Sequence, residues 1–185
     1  MEHRRTVIKA TLGVGLIAVL PEVALAQTDP RNARPQEGDR FVLADGERKG
    51  AEVKLDDLKL GAPPVTVMPQ HPASGTVRDG SRLNQILMVR IDEARLKADT
   101  RARAAQGVVA YSAVCTHTGC DGLSWAAEQL WFKCPCHETE FDAADSARVV
   151  SGPAPRRLPA LPLKIVDGYV VAAGGFTGRA GVISP

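Results

Sequence analysis

Aromatic side chains are scarce in this sequence: two tryptophans, two tyrosines and four phenylalanines in 185 residues. Basic residues barely exceed acidic ones, for a net charge of +2, and no basic stripe interleaves with aromatics. Nucleic acid is therefore not an expected partner, since phosphates demand a concentrated basic surface and bases demand stacking faces. No repeat is present, and no helical periodicity lasts beyond a few turns. This leaves out long-helix and solenoid architectures. Cysteine and histidine are equally sparse, at four each. His3 and His71 stand apart from every cysteine, so few residues are left for chemistry.

Glycine (17) and proline (13) are what the chain has in quantity. They point to short strands joined by many turns. Arg40 to Leu43, Val65 to Met68, Asn84 to Ile91, Val108 to Tyr111, Leu130 to Lys133, Leu163 to Val166 and Tyr169 to Ala172 read as short elements or strands. The run 84–91 is rich in aliphatic residues and reads as a buried strand. Asp167-Gly168 between two apolar runs is a hairpin signal. Lys54 to Leu60 is a further short element, and residues 69–82, dense in Pro, Gly, Ser and Asp, read as a loop. Asp99 is placed to cap a short helix over Thr100 to Gln106, ended by Gly107. The class expected is all-β, antiparallel.

The first 26 residues read as a targeting segment. Arg4 and Arg5 precede an apolar run of 11 residues, Ala10 to Leu20, followed by Ala24-Leu25-Ala26. The last three have the small-x-small form of a signal-peptidase site, with Gln27 as the new N-terminus. The arginine pair resembles a twin-arginine signal, which carries folded proteins across a membrane. An uncleaved anchor is the other reading, but a spanning helix needs roughly 20 apolar residues. The expected organisation is a signal over 1–26, a disordered linker over 27–39 and one domain over 40–185.

All four cysteines lie between residues 115 and 136. The first box is Cys115-Thr116-His117-Thr118-Gly119-Cys120, the second Cys134-Pro135-Cys136-His137, with 13 residues between them. Each box offers a thiolate and an imidazole within a few residues. Two facing loops can therefore present two sulfurs and two nitrogens to one metal centre. Thiolate and imidazole suit both iron–sulfur clusters and zinc. Structural zinc sites usually pair two C-x₂₋₄-C knuckles and need no surplus cysteines.

The two boxes together resemble those of disulfide-bearing Rieske proteins. Phe141-Asp142 and the stretch Ser151-Gly152-Pro153-Ala154-Pro155 extend the resemblance, the latter to that family's proline-rich third loop. The likeness spans about residues 84–175. It implies a Rieske antiparallel β-sandwich or barrel, with a cluster-binding subdomain inserted at about 112–155. It also implies a [2Fe–2S] cluster, with Cys115 and Cys134 on one iron and His117 and His137 on the other. Cys120 and Cys136 would form a disulfide between the two loops, consistent with an oxidising, periplasmic compartment. In such centres two histidines replace two cysteines and raise the potential.

The chain departs from the Rieske subunits of cytochrome bc complexes after His137. Those usually carry Gly-Ser-x-Tyr there, with both hydroxyls donating to sulfur. Here Thr139 keeps a hydroxyl and Phe141 has none, which predicts a lower potential. Thr118 replaces a usually apolar residue, and Glu138 and Glu140 add negative charge, unless they form only a solvated turn. Trp125 and Trp131 are expected to pack or pair, His71 to sit in a loop, and the run Arg95 to Arg103 to form a solvated face.

The pattern resembles the small subunit of arsenite oxidase most in its signal, its disulfide-type boxes and Phe141. That resemblance implies a large catalytic subunit, molybdenum-containing, and a downstream cytochrome c or copper protein. The alternative is a membrane-anchored Rieske subunit of a quinol–cytochrome c reductase. A ferredoxin feeding an oxygenase is opposed by Cys120, Cys136 and the signal. An oxygenase would need a further iron site of histidines and carboxylate, which His71 alone cannot supply. No nucleophile–base pair is readable, so the chain is expected to carry electrons rather than convert substrate.

Overall fold

The computed structural model describes residues 29–182. The signal expected over 1–26 lies outside the described residues. Among the described residues, no helix is long and apolar enough to cross a membrane.

Among the described residues, ten strands form two antiparallel sheets. The larger has six: β1 (Arg40–Leu43), β2 (Val65–Gln70), β3 (Ile86–Arg90), β4 (Val108–Ser112), β9 (Leu163–Val166) and β10 (Tyr169–Ala172), in the order β4-β3-β2-β1-β10-β9. The smaller has four: β5 (Ser124–Ala126), β6 (Trp131–Lys133), β7 (Glu140–Asp142) and β8 (Arg148–Ser151), in sequence order. It lies wholly between β4 and β9 in the chain. The larger sheet curls at its ends: Ser112 N–H donates to Pro159 O (2.9 Å) and Leu161 N–H to Ala110 O (2.9 Å). The all-β expectation holds, with one short helix.

The apolar runs Ile86–Val89 of β3 and Val108–Tyr111 of β4 have a physical cause. Successive strand residues face opposite sides. Ile86, Met88, Val108 and Ala110 enter one core, with Phe41, Val53, Val67, Leu161 and Val170. Leu87, Val89, Val109 and Tyr111 enter a second, with Phe132, Phe141, Leu158, Cys115 and Cys134. The two strands are thus a wall shared by two cores. Each fully buried large side chain contributes about 1.5–3 kcal/mol. The Tyr111 hydroxyl, inside the second core, donates to Ala143 O at 2.8 Å.

β9 and β10 pair as the Asp167-Gly168 signal suggests, with φ of 51° and 81° at the two turn residues. Positive φ at both positions matches the right-handed twist of the strands. The helix expectation needs correction. The helix is Ala98–Arg101, not 100–106, and its N-cap is Lys97 rather than Asp99. Gln106 and Gly107, both at positive φ, instead form a tight turn closed by reciprocal Ala105–Val108 backbone bonds of 3.0 and 2.9 Å. The short element expected within 54–60 is a single 3₁₀ turn, Leu55–Asp57.

The stretch 69–82 is less free than its composition suggests. Strand β2 claims its first two residues, and Arg78 is buried against Asp39 at 2.7 and 2.9 Å. For the same reason the segment 29–39 is no disordered linker. Pro30–Asn32 forms a 3₁₀ turn, Ala172 N–H donates to Asp39 O (2.9 Å), and the Asn84 amide donates to Ala33 O (2.8 Å) and Arg78 O (2.9 Å).

Candidate metal centre

Two loops at one end of the smaller sheet carry the boxes, and both close in the same way. Cys115 N–H donates to Cys120 O at 2.7 Å, and Cys134 N–H donates to Thr139 O at 2.8 Å. Each bond ties a residue to the fifth one beyond it. The first loop leaves β4 through buried Ala113 and Val114. The second connects β6 to β7 and turns with Glu138 at φ 54° and Glu138 N–H donating to Cys134 O (3.0 Å).

Across the loops, Cys120 and Cys136 are joined by a disulfide, with Cα atoms 6.6 Å apart. Cys115 and Cys134 are free thiols, both buried. Burial pushes the Cys115 thiol up to about 11, backbone N–H groups of His117 and Thr116 oppose this, and the adjoining Cys134 thiol adds to it. Those amides are donors suited to a thiolate ligand. Nδ1 of His117 lies 3.2 Å from Nδ1 of His137, with the rings nearly perpendicular at 84°. His117 is half-buried and His137 exposed. The sulfurs of Cys120, Cys134 and Cys136 lie within 4.8 Å of one another.

The arrangement therefore brings together the six residues read from the sequence. Two adjoining thiols sit inside and two imidazole nitrogens converge outside. This donor set fits a centre held half by sulfur and half by nitrogen. A symmetrical sulfur-only site would leave the converging Nδ1 atoms without purpose.

The surrounding residues hold the loops. Thr139 is fully buried, and its hydroxyl oxygen accepts from Ala154 N–H at 3.3 Å, leaving its proton free to donate. Pro153 is exposed in that third loop beside Ala154. Gly152, at φ 92°, packs so closely on Thr139 that a side chain there would collide. Phe141 is fully buried and lies directly across from Phe132. Glu138 and Glu140 flank Lys133 at 3.6 and 3.9 Å, so part of their charge is compensated. Thr118 Oγ1 lies 3.5 Å from the Cys120 sulfur. Trp125 packs on Phe132 at 5.1 Å, and Trp131 stands opposite Ala126. His71 lies in the turn after β2, with Nδ1 3.1 Å from Ser74 Oγ.

Two arginines absent from the sequence reading also touch the first loop. Arg82 donates to Gly119 O at 2.6 Å, and the Thr116 hydroxyl donates to Arg156 O at 2.5 Å. They lie 37 and 40 residues from their partners, and no local pattern marks them.

Comparison with known proteins agrees with this geometry. A family model for the Rieske [2Fe–2S] domain matches residues 72–162. A Haloferax mediterranei protein, named provisionally as the Rieske subunit of a respiratory nitrate reductase, is 36% identical over 149 residues, covering 80% of this chain and 63% of its own. The Rieske iron–sulfur subunit of the Streptomyces lividans cytochrome bc1 complex is 46% identical over 72 residues, 38% of this chain and 42% of its own. The chain thus spans less than two thirds of either relative. Among solved structures, the ferredoxin of carbazole 1,9a-dioxygenase from Nocardioides aromaticivorans is 20% identical with a TM-score of 0.44, covering 66% of this chain and 93% of that one.

Proposed function

The chain belongs to the Rieske [2Fe–2S] family; on that premise we propose that it is the electron-transfer subunit of a periplasmic oxidoreductase complex of the arsenite oxidase type. Cys115 and Cys134 would hold one iron of the cluster, and His117 and His137 the other. When bound, the cluster supplies a one-electron couple whose imidazole ligands raise its potential.

The chain's own residues do the rest. The Cys120–Cys136 disulfide holds the two loops in register. The buried thiols keep water from one side of the centre, while exposed His137 brings the other side to the surface. Each ligating imidazole retains a ring N–H whose affinity for its proton depends on the charge held nearby. Thr139 can donate its free hydroxyl proton to a sulfur, and Phe141 offers no second donor. That combination favours a potential below that of quinol-oxidising relatives.

The observation that carries the reading is the convergence of two buried thiols and two imidazole nitrogens beside a loop-tying disulfide. The twin-arginine pattern at Arg4 and Arg5 supports export with the cluster already inserted. The Haloferax relative's name supports a large catalytic partner. A molybdenum-containing subunit would deliver electrons, and a cytochrome c or copper protein would accept them. A second reading is a membrane-anchored quinol–cytochrome c reductase subunit, favoured by the 46% identity to the Streptomyces protein over 72 residues.

Gentle isolation from native periplasm and membranes, with mass spectrometry of what co-purifies, decides between them. A soluble complex with a molybdenum-cofactor protein, this chain starting at Gln27, is the expected result. A cytochrome b in the membrane fraction, with the N-terminal segment retained, would replace this reading with the second.

A further inference from the structure

The arginines near the first loop share a property that the centre itself does not require. Arg82 donates to Gly119 O, and a side chain at Gly119 would meet both the Arg82 guanidinium (3.2 Å) and Val182 (3.4 Å). Arg156 donates to the carbonyl of Gly181, the neighbour of Val182. Burial, with the neighbouring Arg179 charge adding to it, disfavours the Arg156 charge. Arg34 lines one groove of about 330 Å³ with Arg179 and Phe176, and bonds to Asn84, two residues from Arg82. These contacts place Arg82 and Arg156 around the Gly119 and Gly181–Val182 backbone, and Arg34 and Arg179 on a shared groove next to it, beside the loop that carries His117.

Among the described residues none of the four makes an ion pair. Other arginines of the surface are paired, Arg31 with Asp79, Arg40 with Glu52 and Arg48 with Asp57, while Arg90, Arg95, Arg101, Arg103 and Arg157 share the unpaired state without adjoining the first loop's Gly119. Arg34, Arg82 and Arg179 are exposed, as is Val182 at 44%. Asp121 is an exposed carboxylate on the first loop. Beside the second loop the charges are instead compensated, Glu138 and Glu140 against Lys133. Among the described residues, the positive charge beside the first loop exceeds the single carboxylate of Asp121.

We propose that this arginine face docks an acidic protein partner against the His117 side of the centre. Guanidinium groups are suited to bidentate carboxylate recognition, and here Arg82 and Arg156 are held by backbone carbonyls and Arg34 by the Asn84 amide oxygen. Val182 and Phe176 supply apolar area between them. The proposal rests on the electron-transfer reading, since only then does docking beside His117 have a purpose. Unpaired like charges on one face steer an oppositely charged partner and speed its encounter.

The test uses the cluster-loaded protein and two probes, an acidic bacterial cytochrome c and a basic mammalian one. Affinity is measured by calorimetry at low and high salt, and electron transfer by absorbance of the haem. We expect the acidic cytochrome to bind at least tenfold more tightly than the basic one at low salt, and the preference to vanish at high salt. Arg34→Glu with Arg179→Glu, two exposed positions away from the loops, should remove the preference with the cluster spectrum unchanged. Arg82→Gln is a second, milder variant. Equal affinity for both cytochromes, or a preference that survives the double charge reversal, would overturn the proposal. Binding of anionic vesicles abolished by the same variants, without cytochrome preference, would assign the face to a membrane surface instead. Electron transfer to neither probe at any salt would remove the electron-transfer reading itself, and the proposal with it.

Discussion

A Cβ placed on Gly152 would fall 2.5 Å from the Thr139 Cα and 2.8 Å from its hydroxyl oxygen. The third loop therefore seats on the second one at the position where Thr139 accepts from Ala154. Gly152→Ala should lift this lid, with a stability loss of about 1–3 kcal/mol from strain alone. The cluster should bleach faster in air. Gly122→Ala, also at positive φ but with open space around it, is the control for backbone strain without the clash. Equal bleaching rates in the two variants would show that the lid contact is irrelevant.

The ligand assignment is tested by substitution. His137→Ala should abolish the Rieske electron paramagnetic resonance signal, and an unchanged signal would dismiss His137 as a ligand. Cys136→Ser should keep the signal but shorten the cluster's lifetime, because the two loops lose their covalent tie. Thiol reductants should reproduce that effect in the unmodified chain.

Phe141 offers a graded test of potential. Phe141→Tyr would restore a hydroxyl to a fully buried ring. A new hydrogen bond of about 1 kcal/mol to a sulfur corresponds to a rise on the order of 40 mV for one electron. Thr139→Val should shift the potential downward. Voltammetry at fixed pH measures both, and a Tyr variant at or below the parent potential contradicts the argument.

Asp39 and Arg78 form a buried ion pair joining the N-terminal segment to the turn before β3. Removing one partner strands the other charge away from water. Asp39→Ala should cost about 3–5 kcal/mol, read as a drop in Tm. Replacing both by apolar residues should cost less than either single change.

The acid limb of stability has two identifiable contributors. Hydrogen bonds from Arg48 and Arg31 hold Asp57 and Asp79 below the ordinary carboxylate value of 3.8. Groups lowered on folding contribute stability that is complete above their unfolded pKa and lost as pH falls through the folded one. The arginines are 57% and 55% exposed, so the contribution is small and screened by salt. Asp57→Asn with Asp79→Asn should flatten the fall in Tm between about pH 5 and about pH 3. A fall as steep as the parent's would exclude these carboxylates as contributors.

The centre was more legible than the scaffold that holds it. Cys115, His117, Cys134 and His137 are distinctive because ligand chemistry tolerates few residue types, and the structure gathers them together with the predicted Cys120–Cys136 bond. β3 was legible because its aliphatic run Ile86–Val89, buried on both faces, stands out against its flanks. The strands β5, β7 and β8 were not, since Ser-Trp-Ala, Glu-Phe-Asp and Arg-Val-Val-Ser are too short to establish a period of two. The helix was misplaced because Gly107 serves a tight turn as readily as a helix end. The Asp39–Arg78 pair spans 39 residues, and nothing near either one signals the other.

The parity of the shared wall has an engineering consequence. Along β3 and β4, substitutions at Leu87, Val89, Val109 or Tyr111 act on the metal-bearing module, and those at Ile86, Met88, Val108 or Ala110 act on the base. The insert therefore owns half of a wall whose residues lie outside its own stretch of sequence. Grafted onto another scaffold without that half, it would present an open apolar face to water. The tip is a module by function but not by inheritance, and transplanting it requires carrying the alternate side chains of both strands along.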